Sequence, residues 1–258
     1  MTRKLCKVAK NQVIAPGHHV LTLESSIGNG FDPGQFVQLG IEPTFLPRPF
    51  SILSADDCHL SILSKVVGVG TRRLFECTVG QRVWVLGPLG KGFRSYSSPD
   101  KAIIVGGGVG IPPVYALAVR LSVAGTVPTI IVGARTSDQL LLTSDLNAIG
   151  GKLHVMTDDG SAGGCGTVID RLKELLHTDS HNCCVYACGP HPMLFAVASL
   201  CYSRGASCQV AVEANMACGF SVCQGCAVSN SKGGYDLVCR DGPVFDAGRL
   251  SWSEERQA

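Results

Sequence analysis

The sequence predicts a chain of mixed architecture: an antiparallel β-barrel, then a doubly wound parallel α/β sheet, then a small cysteine-rich lobe. Short β-rich runs separated by Gly, Pro, Asn and Asp fill roughly the first hundred residues, as in antiparallel barrels. Apolar strands then alternate with helices, which is the pattern of a parallel sheet covered on both faces. The predicted domains are residues 1–99, 100–212 and 213–258.

The composition is that of a folded, nearly neutral protein. Of the 258 residues, 45% are hydrophobic and 16% charged, and 22 basic side chains against 20 acidic ones give a net charge of +2. This balance excludes a disordered chain and a polybasic surface for nucleic acid. No apolar run of a signal peptide follows the N-terminus, so we expect a cytoplasmic protein whose 13 cysteines stay reduced.

The first part is predicted to contain five strands and one short helix. Each strand is a run of apolar and β-branched residues that ends at a turn sequence. The predicted strands are Leu5–Ile14, His19–Glu24, Gln35–Ile41, Cys58–Val67 and Gln81–Leu86, and the helix is Thr71–Glu76.

The second part is predicted to alternate five strands with four helices. The strands are Ala102–Val105, Thr129–Val132, Lys152–Met156, Cys183–Ala187 and Gln209–Val212, and the helices Pro112–Val123, Ser137–Ala148, Thr167–Leu176 and Met193–Arg204. The uncharged run Ala102–Val119 has the minimum length of a membrane span. Its glycines and prolines predict a strand, a turn and a helix start instead.

Four cysteines in the last part have a specific spacing. Cys218, Cys223, Cys226 and Cys239 form C-x4-C-x2-C-x12-C, the plant-type [2Fe–2S] pattern. Small neighbours leave room for a loop to wrap a cluster, and the fourth ligand is expected on a separate strand, Asp236–Cys239. A zinc site and four unrelated buried cysteines remain the alternatives.

A glycine-rich turn follows the strand Ala102–Val105. Glycines in such a turn let the backbone approach a pyrophosphate at a helix N-terminus, which indicates a nucleotide site. The glycines are Gly106, Gly107, Gly108 and Gly110; Ile111 stands where the G-x-G-x-x-G motif has its third glycine. Arg135, in the position of the usual ribose-binding acid, leaves NAD against NADP open.

Three sequence strings together resemble the ferredoxin–NADP reductase superfamily. Arg48–Ile52 is similar to its R-P-[FYI]-S-[IL] flavin motif, and Gly68–Thr71 to its second flavin phosphate loop. Cys188-Gly189-Pro190, with the glycine turn, resembles its pyridine-nucleotide module. The C-terminal cysteines narrow the resemblance to the electron-transfer subunits of dihydroorotate dehydrogenase B, especially over Val212–Cys226 and Cys239–Phe245.

The resemblance implies three redox cofactors: FAD, a [2Fe–2S] cluster and NAD(H). It implies FAD contacts from Arg48, Pro49, Phe50, Ser51, Leu63, Ser64, Lys65, Gly70 and Thr71. It places Cys188, with Gly189 and Pro190, near the nicotinamide; a lone cysteine on a core strand is the alternative.

The resemblance also implies a partner. Electrons would pass between an FMN-containing dihydroorotate dehydrogenase catalytic subunit and NAD, in a heterotetramer of two plus two subunits, during pyrimidine biosynthesis. The cofactors carry this chemistry, which fits the lack of an acid–base constellation. One alternative is the small subunit of an NADH-dependent ferredoxin:NADP oxidoreductase or sulfide dehydrogenase, where the first cluster ligand is often Asp rather than Cys218. The other is a zinc-stabilised scaffold without redox activity.

Overall fold

A computed structural model describes residues 1–42, 44–94, 101–178 and 183–252. It has the predicted fold class: a closed antiparallel barrel, a mainly parallel sheet with helices, and a small C-terminal hairpin. The predicted boundary between residues 99 and 100 and the polar tail Ser253–Ala258 lie outside the described residues. The division into residues 1–99, 100–212 and 213–258 stays a prediction.

Six strands close the barrel in the order β1-β2-β5-β4-β3-β6. They are β1 (Thr2–Ala15), β2 (His18–Glu24), β3 (Phe36–Gly40), β4 (Arg48–Ala55), β5 (His59–Lys65) and β6 (Arg82–Leu89), with helix α1 (Val69–Phe75) between β5 and β6. Strand β4 carries the predicted flavin motif and is absent from the predicted strands.

The side chains of β3 alternate between two environments, as the two-residue period of a strand requires. Val37 and Leu39 belong to the barrel core. Phe36 packs instead into the core shared with the C-terminal hairpin. The outer wall of the barrel at β3 is therefore covered by protein rather than by solvent.

The second sheet has seven strands in the order β10-β9-β8-β7-β11-β12-β15. Its strands are β7 (Lys101–Gly107), β8 (Thr129–Ala134), β9 (Lys152–Thr157), β10 (Gly164–Cys165), β11 (Cys183–Cys188), β12 (Ser207–Ala211) and β15 (Val244–Asp246). All pairs are parallel except β12 with β15.

Helices cover both faces of this sheet, which confirms the doubly wound arrangement. They are α2 (Ile111–Val123), α3 (Thr143–Ala148), α4 (Val168–Thr178) and α5 (His191–Arg204). Leu117 of α2 and Leu146 of α3 pack on one face, while Leu172 of α4 and Val197 of α5 pack on the other. Among the helices of the described residues, none has the length and apolar character needed to cross a membrane.

The structure corrects one predicted helix. The sequence predicts a continuous helix over Ser137–Ala148, but a short 3-10 turn at Ser137–Gln139 precedes α3, which starts only at Thr143. Leu142 has a φ of 53°, in the left-handed region that a right-handed helix excludes. The helix must therefore begin after this residue.

The C-terminal part contains a hairpin and a return to the sheet. Strands β13 (Ala227–Ser229) and β14 (Tyr235–Leu237) pair antiparallel, and helix α6 (Val238–Asp241) follows. Cys239 thus lies in α6, not on the predicted strand Asp236–Cys239. Strand β15 then pairs with β12, with Val210 opposite Phe245.

A buried histidine ties two barrel strands to α1. His19 is fully buried, and its Nδ1 faces the Asn11 Oδ1. The Asn11 amide nitrogen donates to the carbonyls of Leu74, Phe75 and Cys77, so its oxygen accepts a hydrogen bond from His19. Burial, and secondarily the charge of His18, lower the pKa of His19 to about 4.

We expect this histidine to make the barrel acid-sensitive. Its folded pKa lies below its unfolded value of about 6.5, so the unfolded chain binds the extra proton. Stability present above pH 6.5 is lost as the pH falls towards 4, by about 2–3 kcal/mol at pH 4.5. The measurement is the urea midpoint at pH 7 and pH 4.5. His19→Gln should show a smaller shift than the wild type, whereas His59→Gln, at an exposed position, should keep it. Equal shifts in all three proteins would contradict this role.

Candidate functional site

A cleft of about 920 Å³ lies where the barrel, the seven-stranded sheet and the C-terminal hairpin β13–β14 meet. This volume suits a large cofactor. The sequence-predicted residues that line it are Arg48, Pro49, Phe50, Ser51, Leu63, Ser64, Lys65, Gly70, Thr71, Gly189 and Pro190. The predicted residues Gly106, Gly107, Gly108, Gly110 and Cys188 are not among its lining residues.

Arg48 lies over the start of α1. A methyl group built on Gly70 would come within 3.1 Å of the Arg48 Nε, so the guanidinium lies close against the backbone at this glycine. The Arg48 Nη1 also donates to the carbonyl of Leu46. Guanidinium and helix N-terminus both favour negative charge, which makes this end of the cleft suited to a phosphate or pyrophosphate.

Two hydroxyl groups near this end differ in their hydrogen bonding. The Thr71 Oγ1 accepts hydrogen bonds from the backbone N–H groups of Val67 and Gly68 at 2.9 and 3.0 Å, so it shapes the loop itself. The Ser64 Oγ is buried and has no hydrogen-bond partner among the described residues. Buried hydroxyls normally have partners, so Ser64 is ready to bind a polar group in the cleft.

The glycine turn packs closely against the end of β11. A methyl group on Gly110 would lie 2.5 Å from the backbone carbonyl of Cys188, and one on Gly107 2.5 Å from the Met193 Sδ. Gly108 has a φ of 54°, which favours glycine. These glycines bring two predicted nucleotide segments together, while Val109 and Pro112 line the cleft.

Cys188 is buried behind the cleft. Burial raises the pKa of its thiol, and the charge of Glu213 raises it further, so the thiol stays neutral. The Glu213 carboxyl lines the cleft, and burial raises its pKa as well. The sequence alone does not single out Glu213, because one acidic residue after a strand has no distinctive spacing.

An aromatic pair closes another part of the cleft and was also missed. The rings of Trp252 and His191 lie 5.7 Å apart, and the Trp252 Nε1 donates to the Ala247 carbonyl at 2.9 Å. Both residues line the cleft. They are distant in the sequence, so only the fold reveals the pair.

The four predicted metal-binding cysteines form two pairs. The sulfurs of Cys226 and Cys239 are 3.3 Å apart. The Cys223 N–H points to the Cys218 sulfur at 3.4 Å. Within the part of the chain that is described, no three or more His, Cys, Asp or Glu side chains converge on one point. A single zinc ion needs four converging ligands, whereas a two-iron cluster spreads four thiolates over two metal atoms.

The backbone around these cysteines turns its N–H groups towards sulfur. Ser221 N–H points to the Cys239 sulfur at 3.1 Å, and Cys239 N–H to the Cys226 sulfur at 3.5 Å. Gly219, Ser221 and Gln224 have φ values of 78°, 69° and 58°, which fold the loop tightly. Hydrogen bonds to sulfur are one means by which proteins tune iron–sulfur clusters. The donor set therefore fits a [2Fe–2S] cluster.

Two of these thiols differ in acidity. Backbone N–H groups, first that of Cys218 and then that of Gly225, lower the pKa of Cys223 to about 7. Burial raises the pKa of Cys239 to about 12. The exposed Cys223 is therefore the more readily deprotonated of the two.

Two family models match the chain. Residues 213–251 match the iron–sulfur cluster binding domain of dihydroorotate dehydrogenase B, and residues 104–199 match the oxidoreductase NAD-binding domain. The first match contains all four cysteines of the two pairs. The second contains the glycine turn and the Cys188 segment.

Curated proteins match over most of the chain. The dihydroorotate dehydrogenase B (NAD(+)) electron transfer subunit of Bacillus caldolyticus is 36% identical over 96% of this chain and 98% of its own. The probable counterpart from Methanopyrus kandleri is 37% identical over 87% of this chain and 80% of its own. A solved NADH-dependent reduced ferredoxin-NADP oxidoreductase structure has a TM-score of 0.86 and 28% identity, and the match covers 96% of this chain and 90% of that one.

Proposed function

Because the chain belongs to the family of electron-transfer subunits of dihydroorotate dehydrogenase B, we propose that it moves electrons between a catalytic partner subunit and NAD. Dihydroorotate would lose two electrons and two protons at the FMN of the partner, and NAD would take up a hydride at this chain. The second proton goes to solvent. The proposal includes a heterotetramer of two plus two subunits, acting in cytoplasmic pyrimidine biosynthesis.

The observation that carries this proposal is that the flavin motif and the cysteine segment line the same cleft. Arg48–Ser51 of the barrel line it, and so do Gly225 and Ala227–Ser229, which flank the cluster cysteine Cys226. A flavin in the cleft would therefore be adjacent to the segment that holds the cluster. When bound there, a flavin would supply the exchange between two-electron hydride transfer and one-electron transfer.

We assign the flavin-side roles as follows. Arg48 and the Gly70 end of α1 bind the pyrophosphate, with Thr71 holding their loop in shape. Ser51, Ser64 and the backbone at Pro49 and Phe50 hydrogen-bond the ring and ribityl chain, and Leu63 and Lys65 complete the same wall.

The remaining roles belong to the nicotinamide nucleotide and to iron. Gly106, Gly107, Gly108 and Gly110 allow the nucleotide to approach the sheet edge, and Cys188, Gly189 and Pro190 border the nicotinamide. The four cysteines would hold the cluster, with Cys218 and Cys223 as one pair of ligands and Cys226 and Cys239 as the other.

A second function is favoured by one observation, the high similarity to the NADH-dependent ferredoxin-NADP oxidoreductase structure. Under this alternative the partner would be a large flavoprotein with no dihydroorotate activity. The cysteine at position 218, where the family resemblance implies that this group often has Asp, favours the first proposal.

The experiment is anaerobic reduction of the purified chain, followed by addition of a dihydroorotate dehydrogenase catalytic subunit from the same organism. We expect NADH to bleach the flavin absorption of the chain alone and dihydroorotate to leave it unchanged. With the catalytic subunit added, dihydroorotate should reduce NAD. Oxidation of dihydroorotate by the isolated chain would contradict the proposal. Reduction by NADH without coupling to the catalytic subunit would favour the alternative.

A further inference from the structure

A buried glutamine lies between the flavin cleft and the cluster loop. Gln38 of β3 is 1% exposed. On the adjacent strands it is paired with Pro49 of β4 and with Leu86 of β6. By strand alternation it shares the outer face of β3 with Phe36, which packs with Cys226 and Cys239 in one core cluster.

The amide of Gln38 also contacts the cluster loop. A methyl group built on Gly219 would lie 2.6 Å from the Gln38 Nε2 and 2.8 Å from its Cγ. Gly219 follows Cys218 directly and has a φ of 78°. Glycine at position 219 therefore allows the cysteine loop to pack directly against the Gln38 amide.

The polar atoms of this amide are unsatisfied by protein. Neither the Nε2 nor the Oε1 of Gln38 has a hydrogen-bond partner in the described ranges. Leaving such a group buried without a partner destabilises the folded chain. An apolar side chain of the same length would fill the space without this cost, so the packing alone does not account for a glutamine.

We propose that Gln38 tunes the electron affinity of the cluster: its amide N–H2 donates a hydrogen bond to the Cys218 side of the cluster. This inference rests on the proposed function, because it requires the four cysteines to hold the cluster. A donor near the sulfurs stabilises the additional negative charge of the reduced cluster more than the oxidised one. Gln38 therefore shifts the electron equilibrium from the flavin towards the cluster.

Gln38→Met and Gln38→Glu test this role in the holoprotein. Methionine keeps the unbranched shape and removes both polar atoms, while glutamate keeps the shape and places an acceptor or a negative charge there. The matched control is Gln209→Met. Gln209 is equally buried, but its amide already bonds the Arg94 backbone N–H and carbonyl, both at 2.9 Å.

The measurement is an anaerobic reductive titration, with the reduced cluster counted by electron paramagnetic resonance and the flavin followed by absorption. At half-reduction of the flavin, we expect the ratio of reduced to oxidised cluster to fall about tenfold in Gln38→Met, the size of one hydrogen bond to a charged group. In Gln38→Glu, the ratio of reduced to oxidised cluster should fall further than in Gln38→Met. Gln209→Met should keep the ratio of the wild type and lose thermal stability instead, because it removes two hydrogen bonds to the Arg94 backbone.

Three other outcomes are distinguishable. An unchanged ratio in Gln38→Met with iron retained would overturn the inference and leave the proposed function intact. Loss of iron from Gln38→Met, but not from Gln209→Met, would make Gln38 a support of the loop and would also overturn the tuning role. A wild-type chain without a two-iron centre would refute the proposed function itself.

Discussion

Replacing Cys239 by serine is expected to remove the iron from the chain and to abolish coupling to the catalytic partner. The wild type should hold about two irons, and a lost thiolate leaves one iron with an incomplete ligand set. Coupled turnover should fall by more than the roughly 10- to 100-fold typical of changes next to a metal ligand. Iron analysis, the visible spectrum and coupled turnover measure the effect. Reduction of the flavin by NADH should persist, because the flavin cleft keeps its barrel side.

The control is Cys58→Ser, which removes an exposed thiol far along the chain from the cluster loop. It should retain iron and coupling. If Cys239→Ser kept its iron, or if the wild type held zinc instead, the assignment of the four cysteines would be wrong.

Replacing Arg48 by methionine is expected to weaken flavin binding about a hundredfold. The guanidinium at the start of α1 can form two charge-assisted hydrogen bonds to a pyrophosphate, which together contribute about 3 kcal/mol. Since 1.4 kcal/mol is a factor of ten, the dissociation constant should rise by two orders of magnitude. Ultrafiltration of the purified protein, with free and bound FAD measured by fluorescence, tests this.

Two further variants separate charge from geometry at this position. Arg48→Lys keeps the charge but not the planar fork, so its affinity should lie between those of the wild type and Arg48→Met. Arg73→Met removes the same charge from the exposed side of α1, where Arg73 lies 3.7 Å from Glu76, and should leave FAD affinity unchanged. Equal losses in Arg48→Met and Arg73→Met would indicate an effect of net charge alone.

The α/β sheet could be predicted from the sequence because its signal is local. The strand starting at Ala102 is an apolar run that ends in glycines, and its helix starts at prolines, so each element is visible alone. Strand β4 was missed because Pro49 is a poor strand former, and pairing with β3 and β5 determines its conformation. Strand β15 has only three residues, and only its pairing with β12 makes it a strand.

The site divides in the same way. The cysteine spacing is a local pattern and could be interpreted directly. The contact of Arg48 with Gly70, the placement of Glu213 beside Cys188, and the unsatisfied amide of Gln38 all depend on segments far apart in the sequence. No spacing rule predicts them, because each arises from packing between the barrel, the sheet and the cysteine loop.

Strands β12 and β15 pair antiparallel, and the iron–sulfur segment is the long connection between them. It is therefore an insertion between two paired strands, rather than a module added to the end of the chain. Both ends of the segment are held by neighbouring strands, which limits its freedom to swing. Truncation after residue 212 would therefore remove an edge strand together with the cysteines. It would expose the edge of β12 at the buried residue Val210, and an exposed strand edge promotes aggregation. A version of the chain without iron is better made by replacing residues 213–243 with a short turn that lets β15 stay in place.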